Sequence, residues 1–272
     1  MVNGSIDKAR DQFEKDLNTK EYSVITSDEE QLNRIIRACR FESNSSYVDI
    51  GTGRGYVAFA IAKLFSQSTM TGIDIIESVI DKNNEEAIKQ NKMNLVFKCF
   101  DGIKLPFETE SINGAIARYS FHHFPNAEIS VKEISRILKN DGFFFISDPV
   151  PERNDSINFA DKFSQIRNDG HIKYYHEMEL KKIFEEQGII QESCFHSSVE
   201  IPREMNSQYQ ELLDKTPDEI KKSYKAIIEN GKLKITVTVA NILFRKNKSH
   251  LTTGVADARM NFSTTGSRGE RS

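Results

Sequence analysis

Asp49, Gly51, Gly53 and Gly55 stand close together in the run Val48-Asp49-Ile50-Gly51-Thr52-Gly53-Arg54-Gly55. An acid ends a short apolar run, glycines follow on alternate positions, and the helix-forming Tyr56-Val57-Ala58-Phe59-Ala60-Ile61-Ala62 comes next. This order describes a buried strand, a turn too tight for side chains, and a helix N-terminus whose N–H groups face a ligand. The spacing departs from the dinucleotide fingerprint G-x-G-x-x-G. Tyr56 takes the place of its third glycine, and Asp49 has no part in that pattern.

Three further groups lie in register with the first. Asp74 follows Thr71-Gly72-Ile73, where a carboxylate at a strand end accepts from both hydroxyls of a ribose. Asp74 thus points to an adenosine-containing ligand without choosing between cofactors; its structural alternative is an exposed loop acid. Asp101-Gly102 closes another apolar run, and alone it is a common turn. Arg118-Tyr119-Ser120-Phe121-His122-His123-Phe124-Pro125 follows a fourth. Adjacent histidines diverge on a helix and face opposite sides of a strand, so His122 and His123 make no metal pair. Their structural alternative is one ring packed under the next helix and the other capping it. No His/Cys/acid cluster has metal-ligand spacing, and no metal is expected. A nucleophile elbow and a P-loop are both absent.

The elements that must position these residues are readable between Tyr47 and Asp148. Strand-like runs at Tyr47–Ile50, Met70–Ile73, Leu95–Cys99, Gly114–Ala117 and Phe143–Ser147 alternate with helical patterns at Tyr56–Phe65, Ser78–Asn91 and Ala127–Lys139. That alternation predicts an α/β fold with a parallel sheet and helices on both faces. Residues 1–46 read as N-terminal helices, broken near Asn18–Ser27, that pack on the sheet or cover the site. Ser27 with Glu30 forms a capping box for the second of them. Pro149 and Pro151 are expected to stop the fifth strand, before an insertion over residues 150–175. A helix near Glu177–Gln187, a strand near Ser193–Ile201, an insertion over 202–231 and a strand over Leu233–Phe244 complete the domain, residues 47–246. Residues 247–272 read as a flexible or appended tail.

In this register the chain resembles class I S-adenosylmethionine-dependent methyltransferases, and more narrowly their UbiE-like small-molecule branch. The first motif matches at Asp49, Gly51, Thr52, Gly53 and Gly55, the second at Asp74 and Ile75. The resemblance implies a Rossmann-like seven-stranded sheet, mostly parallel, with an antiparallel C-terminal hairpin strand. It also implies that Asp101 accepts from the adenine amine beside Gly102, and that Arg118, Tyr119 and Ser120 surround the methionine moiety. His122-His123-Phe124-Pro125 is similar to an H-H-F-P element of that branch. Asn140-Asp141 and Ile112-Asn113 depart from the family pattern only at structural turns. Asp148-Pro149-Val150-Pro151-Glu152 and Arg167-Asn168-Asp169-Gly170-His171-Ile172-Lys173 look like a segment of a bacterial subgroup that lies over the acceptor. Arg167, His171 and Tyr174 are therefore candidates to touch the acceptor.

The expected activity is methyl transfer from S-adenosyl-L-methionine to a small molecule, with S-adenosyl-L-homocysteine as product. Alignment of acceptor and donor can supply about 7–11 kcal/mol of such a barrier. Where the acceptor must lose a proton, His123 and His171 are the candidate bases, because imidazole titrates near neutral pH. The alternatives are an NAD(P)-dependent oxidoreductase and a non-catalytic S-adenosylmethionine-binding module. In 272 residues, Lys and Arg number 37 against 40 Asp and Glu, a net charge of −3, so no global attraction to nucleic acid exists. The polar N-terminus, the lack of a long apolar run and three scattered cysteines suggest a soluble, cytoplasmic protein without membrane insertion. A small-molecule acceptor is the expected partner, and a homodimer is left open.

Overall fold

In the computed structural model, residues 28–247 are described, together with Arg10 and Gln12. The expected first N-terminal helix, apart from those two residues, and the expected tail from 248 lie outside the described residues. Helix α1 (Glu29–Cys39) starts at Asp28, whose carboxylate accepts from the Gln31 N–H at 2.9 Å. The cap is thus Asp28, an acid that also favours the helix N-terminus; Ser27 lies outside the described residues.

Alternation of apolar runs and amphipathic helices then builds the doubly wound half. Strands β1 (Ser46–Ile50), β2 (Thr69–Asp74), β3 (Leu95–Cys99), β4 (Ile112–Arg118) and β5 (Leu138–Val150) pair in parallel. Helices α2 (Tyr56–Leu64), α3 (Glu77–Lys89) and α4 (Ala127–Ile137) connect them. The C-terminal half comprises α5 (Phe159–Gln165), α6 (Glu177–Glu185), β6 (Ile189–Glu204), α7 (Ser207–Asp214), α8 (Asp218–Ser223), β7 (Ile227–Glu229) and β8 (Lys232–Lys246).

The sheet order is β3-β2-β1-β4-β5-β8-β6, with β8 antiparallel to both β5 and β6. The expected antiparallel C-terminal hairpin is therefore present. The sheet has eight strands rather than seven, because the 202–231 insertion folds its end back as β7 against β8. Pro149 does not stop β5. Beyond Ser147 no β4 residue flanks the strand, so the missing N–H breaks no bond on that side, and pairing with β8 continues to Val150.

Strand order reverses between β1 and its neighbours β2 and β4, which opens a crevice at their carboxyl ends. One sheet face buries Val48, Ile50, Phe144 and Ile146 beneath α4 and α6. The other buries Tyr47, Met70, Phe97 and Phe145 beneath α1 and α2. A third cluster, around Phe159, Phe163, Tyr209 and Tyr224, belongs to the two insertions.

Candidate active site

The glycine turn closes the β1 end of the crevice. Gly51, Gly53 and Gly55 all have positive φ (71°, 49° and 75°), and a Cβ on Gly51 would lie 2.4 Å from that of Ser120. The N–H groups of Gly51 and Thr52 both donate to the Ile73 carbonyl (2.9 and 3.0 Å), while the Ser120 hydroxyl donates to the Ile50 carbonyl at 2.9 Å. The turn is thereby fastened to β2 and β4 at once.

Two carboxylates face it. Asp74 accepts from the Gly53 N–H at 2.9 Å and the Ile76 N–H at 3.3 Å. Asp49 accepts from the Thr52 hydroxyl at 2.7 Å. Burial pushes Asp49 up to about 6, opposed by the Thr52 bond and Arg118 and reinforced by Asp74. Asp74 is also raised by burial, against its backbone hydrogen bonds. Asn83, on α3, donates to the Gly53 carbonyl at 2.7 Å; no sequence motif singles it out. Paired anions here suit a ligand bringing ribose hydroxyls and positive charge, and they oppose a pyrophosphate.

The crevice continues as a narrow slot walled by Ile50, Gly102, Ile103, Leu105, Phe124 and Ile134, with the polar Ser130 and Glu133 also on its lining. Asp101 is exposed at its rim, and its Oδ1 accepts from the N–H groups of Ile103 and Lys104, both at 2.8 Å. One of its carboxylate oxygens is thus committed to its own turn. Ile75 packs beside Ile76 and Val79, and its carbonyl accepts from Arg10 Nε at 3.4 Å.

At the end of β4, Arg118 Nε donates to Gln31 Oε1 at 2.7 Å, and its guanidinium lies 4.4 Å over the Tyr119 ring. Tyr119 has φ +54°, which turns the chain sharply between Arg118 and Ser120. Gln31 reaches this point from α1. Its amide nitrogen lies within hydrogen-bond distance of Tyr119 Oη (3.2 Å), Ser147 Oγ (3.2 Å), Ser197 Oγ (3.1 Å) and Asn241 Oδ1 (3.4 Å).

The following turn carries two imidazoles, and a third packs against them. His122 Nδ1 sits 2.9 and 3.0 Å from the two oxygens of Asp148, and the His122 backbone N–H donates to the same carboxylate at 3.0 Å. Burial pushes Asp148 well above the usual carboxylate range, against the backbone N–H groups of His122 and Ser120 that converge on it. Burial holds His122 down to about 3, so its ring is neutral. The His123 ring packs against it at a 47° tilt, 4.2 Å between centroids, and burial holds it well below the usual imidazole range.

His171 comes from the 150–175 insertion. Its side chain is 1 % exposed, Nε2 lies 2.7 Å from Asp161 Oδ1, and its ring centroid is 5.3 Å from that of His122. Tyr174 packs 4.4 Å from His171, its hydroxyl 3.0 Å from Ser164 Oγ. The Ile172 N–H donates to the His122 carbonyl at 2.9 Å, fastening the insertion to this turn. Arg167 lies 3.7 Å from Asp169. His123, His171 and Tyr174 therefore converge on one cluster, whose best-oriented member, His122, the sequence left as structural. The available signal was Asp148 at the end of β5.

The methyltransferase domain family matches residues 41–215, well over half of the chain. The chain belongs to this methyltransferase domain family. YcgJ of Bacillus subtilis, an uncharacterized methyltransferase, is 25 % identical over 162 residues, 59 % of this chain and 63 % of YcgJ. Human EEF1A lysine methyltransferase 2 is 32 % identical over 150 residues, 50 % of this chain and 63 % of that protein. The chain thus spans less than two thirds of the length of either relative. In fold, this methyltransferase domain is similar to the YcgJ crystal structure (TM-score 0.71, 18 % identity, 81 % of this chain and 100 % of the other). It is also similar to geranyl diphosphate C-methyltransferase of Streptomyces coelicolor, solved with S-adenosyl-L-homocysteine (TM-score 0.60, 15 % identity, 80 % and 78 %). The Rossmann-like methyltransferase architecture is therefore shared. No helix among the described residues is long and apolar enough to cross a membrane.

Proposed function

We propose that this chain transfers a methyl group from S-adenosyl-L-methionine to a small-molecule acceptor. The observation that carries the reading is the pair of buried carboxylates, Asp49 and Asp74, on either side of the glycine turn. When bound, S-adenosyl-L-methionine supplies a methyl group already activated by its sulfonium. Asp74 is the residue for the ribose hydroxyls, since the Gly53 and Ile76 N–H groups hold its carboxylate in place. Gly102, with Ile103 and Leu105, bounds the slot for adenine, and Asp101 offers its remaining oxygen to the base. Arg118, Tyr119 and Ser120 border the methionine end, and Asp49 supplies negative charge near it.

On the acceptor side the chain's task is orientation and, for an acidic O–H or N–H, removal of a proton. We assign that task to His122, in place of His123 or His171, because its Nδ1 faces both oxygens of Asp148, and the tautomer that donates Nδ1–H to that side chain leaves Nε2 its lone pair. The three imidazoles, Tyr174 and the Arg167–Asp169 pair make this wall polar, which favours a hydrogen-bonding acceptor over a lipid or a quinone.

The deciding experiment titrates the protein with S-adenosyl-L-homocysteine, NAD(H) and NADP(H) by calorimetry. Binding of the first alone is expected, and Asp74→Ala should weaken it about 100-fold, the worth of hydrogen bonds to a charged acceptor. Tight binding of a nicotinamide cofactor, or an Asp74→Ala variant of undiminished affinity, would overturn the assignment.

A further inference from the structure

Glu177 opens α6, and Cys194 and His196 lie two residues apart on β6, so strand alternation turns both to one face. That is the face on which α6 packs. The intervening Phe195 and the following Ser197 point to the other side, where Arg34 lies 4.1 Å over the Phe195 ring and Gln31 reaches Ser197. The ligating atoms of Glu177, Cys194 and His196 all lie within 4.8 Å of one another. His196 Nε2 is 2.6 Å from Glu177 Oε1, and Cys194 Sγ is 3.8 Å from Glu177 Oε2.

Those spans suit three ligands of a single tetrahedral ion. Zinc sits about 2.0–2.1 Å from nitrogen or oxygen and about 2.3 Å from sulfur, which puts its ligands about 3.3–3.6 Å apart. The observed separations of 2.6 and 3.8 Å bracket this spacing. The side chains of His196 and Glu177 are 51 % and 40 % exposed, so an ion can enter from solvent and keep water as its fourth ligand.

We propose that Glu177, Cys194 and His196 bind a divalent transition-metal ion of the zinc type. The mixed sulfur, nitrogen and oxygen set selects against magnesium and calcium, which prefer oxygen alone. On binding, the Cys194 sulfur forms a bond to the ion and its proton leaves to solvent; the neutral imidazole and the carboxylate bind as they are. The ion would tie the first turn of α6 to the edge strand. Because α6 directly follows the segment of Arg167, His171 and Tyr174, it fixes the far end of the acceptor wall. The site stands independently of the donor assignment, since none of its residues lies in the glycine-turn crevice.

The test titrates metal-free full-length protein with Co²⁺ and then with Zn²⁺. A single equivalent of Co²⁺ should give a thiolate-to-cobalt charge-transfer band in the near ultraviolet, displaced by Zn²⁺. Cys194→Ser should lose the band, whereas Cys99→Ser, which removes the exposed thiol elsewhere, should keep it. Loss of an outer-shell partner already weakens metal binding about 10–100-fold, so His196→Ala, which removes a ligand, should weaken it at least about 100-fold. Glu177→Gln, at a half-exposed side chain, gives a second reading that keeps the thiol itself and should also weaken binding. Absence of the band in the unmodified protein, or its survival in Cys194→Ser, overturns the proposal.

Discussion

Asp49 is the residue whose ionisation links the fold to its ligand. Its pKa in the folded chain, about 6, exceeds the ordinary value for an unfolded aspartate, about 3.9. The folded state therefore holds a proton that the unfolded chain has already lost between those values. Burial of Asp49 is harmless below pH about 4 and destabilises the fold in full above pH about 6. A cationic ligand reverses this preference by favouring the carboxylate. If bound S-adenosyl-L-methionine returns Asp49 to about 4, its affinity should be about tenfold weaker at pH 5 than at pH 7.5. Calorimetry at the two pH values checks this, and a flat profile would remove Asp49 from the donor site. His122 makes a separate prediction. His122→Gln should reduce turnover of a proton-bearing acceptor by about 10²–10⁴ while leaving S-adenosyl-L-homocysteine affinity unchanged, as measured by steady-state kinetics beside calorimetry. The sequence made the glycine turn and Asp74 legible because their positions follow from strand ends alone. It hid the His122–Asp148 pair, because partners on different strand ends share no local spacing.

At the scale of elements, α1 is more than a cover on the sheet. Gln31 puts one amide into a buried group formed by β4, β5, β6 and β8, joined to Arg118, Ser147, Ser197 and Asn241. Gln31→Leu would remove the acceptor of Arg118 Nε in a site closed to water. Unsatisfied buried groups of this kind cost about 1–3 kcal/mol each. A loss of about 1–3 kcal/mol in urea denaturation is therefore expected, with weaker S-adenosyl-L-homocysteine binding because Arg118 is freed. An unchanged unfolding midpoint would show that water replaces the amide. Periodicity could place α1 and the five parallel strands to within a few residues, since each buries one face or both. It could not find Gln31, which reads as one more polar residue on an amphipathic helix. Nor could it carry β5 through Pro149, because whether a proline breaks a strand depends on which neighbours need its N–H.

For the molecule as a whole, the sheet supports two bodies. Strand β5 pairs with β8 only as far as Val150 and Thr238, while β6 and β8 continue together to Glu204 and Lys232. This projecting ribbon carries the insertion cluster, whose centre is the fully buried Tyr224. The Tyr224 hydroxyl donates to Asp155 at 2.7 Å and accepts from the Glu152 N–H at 2.9 Å, and its ring lies 5.2 Å from Phe159. The glycine turn and Asp74 belong instead to the β1–β4 half, over different packing. Tyr224→Ala should leave a cavity costing about 3–5 kcal/mol within the insertion body. Hydrogen exchange should then accelerate over 155–165 and 207–229 and stay slow in β1 and β4. Affinity for S-adenosyl-L-homocysteine should hold within about threefold, less than 1 kcal/mol, while acceptor turnover falls. Loss of protection throughout the sheet would instead make the two bodies a single cooperative unit, with donor and acceptor sites rising and falling together.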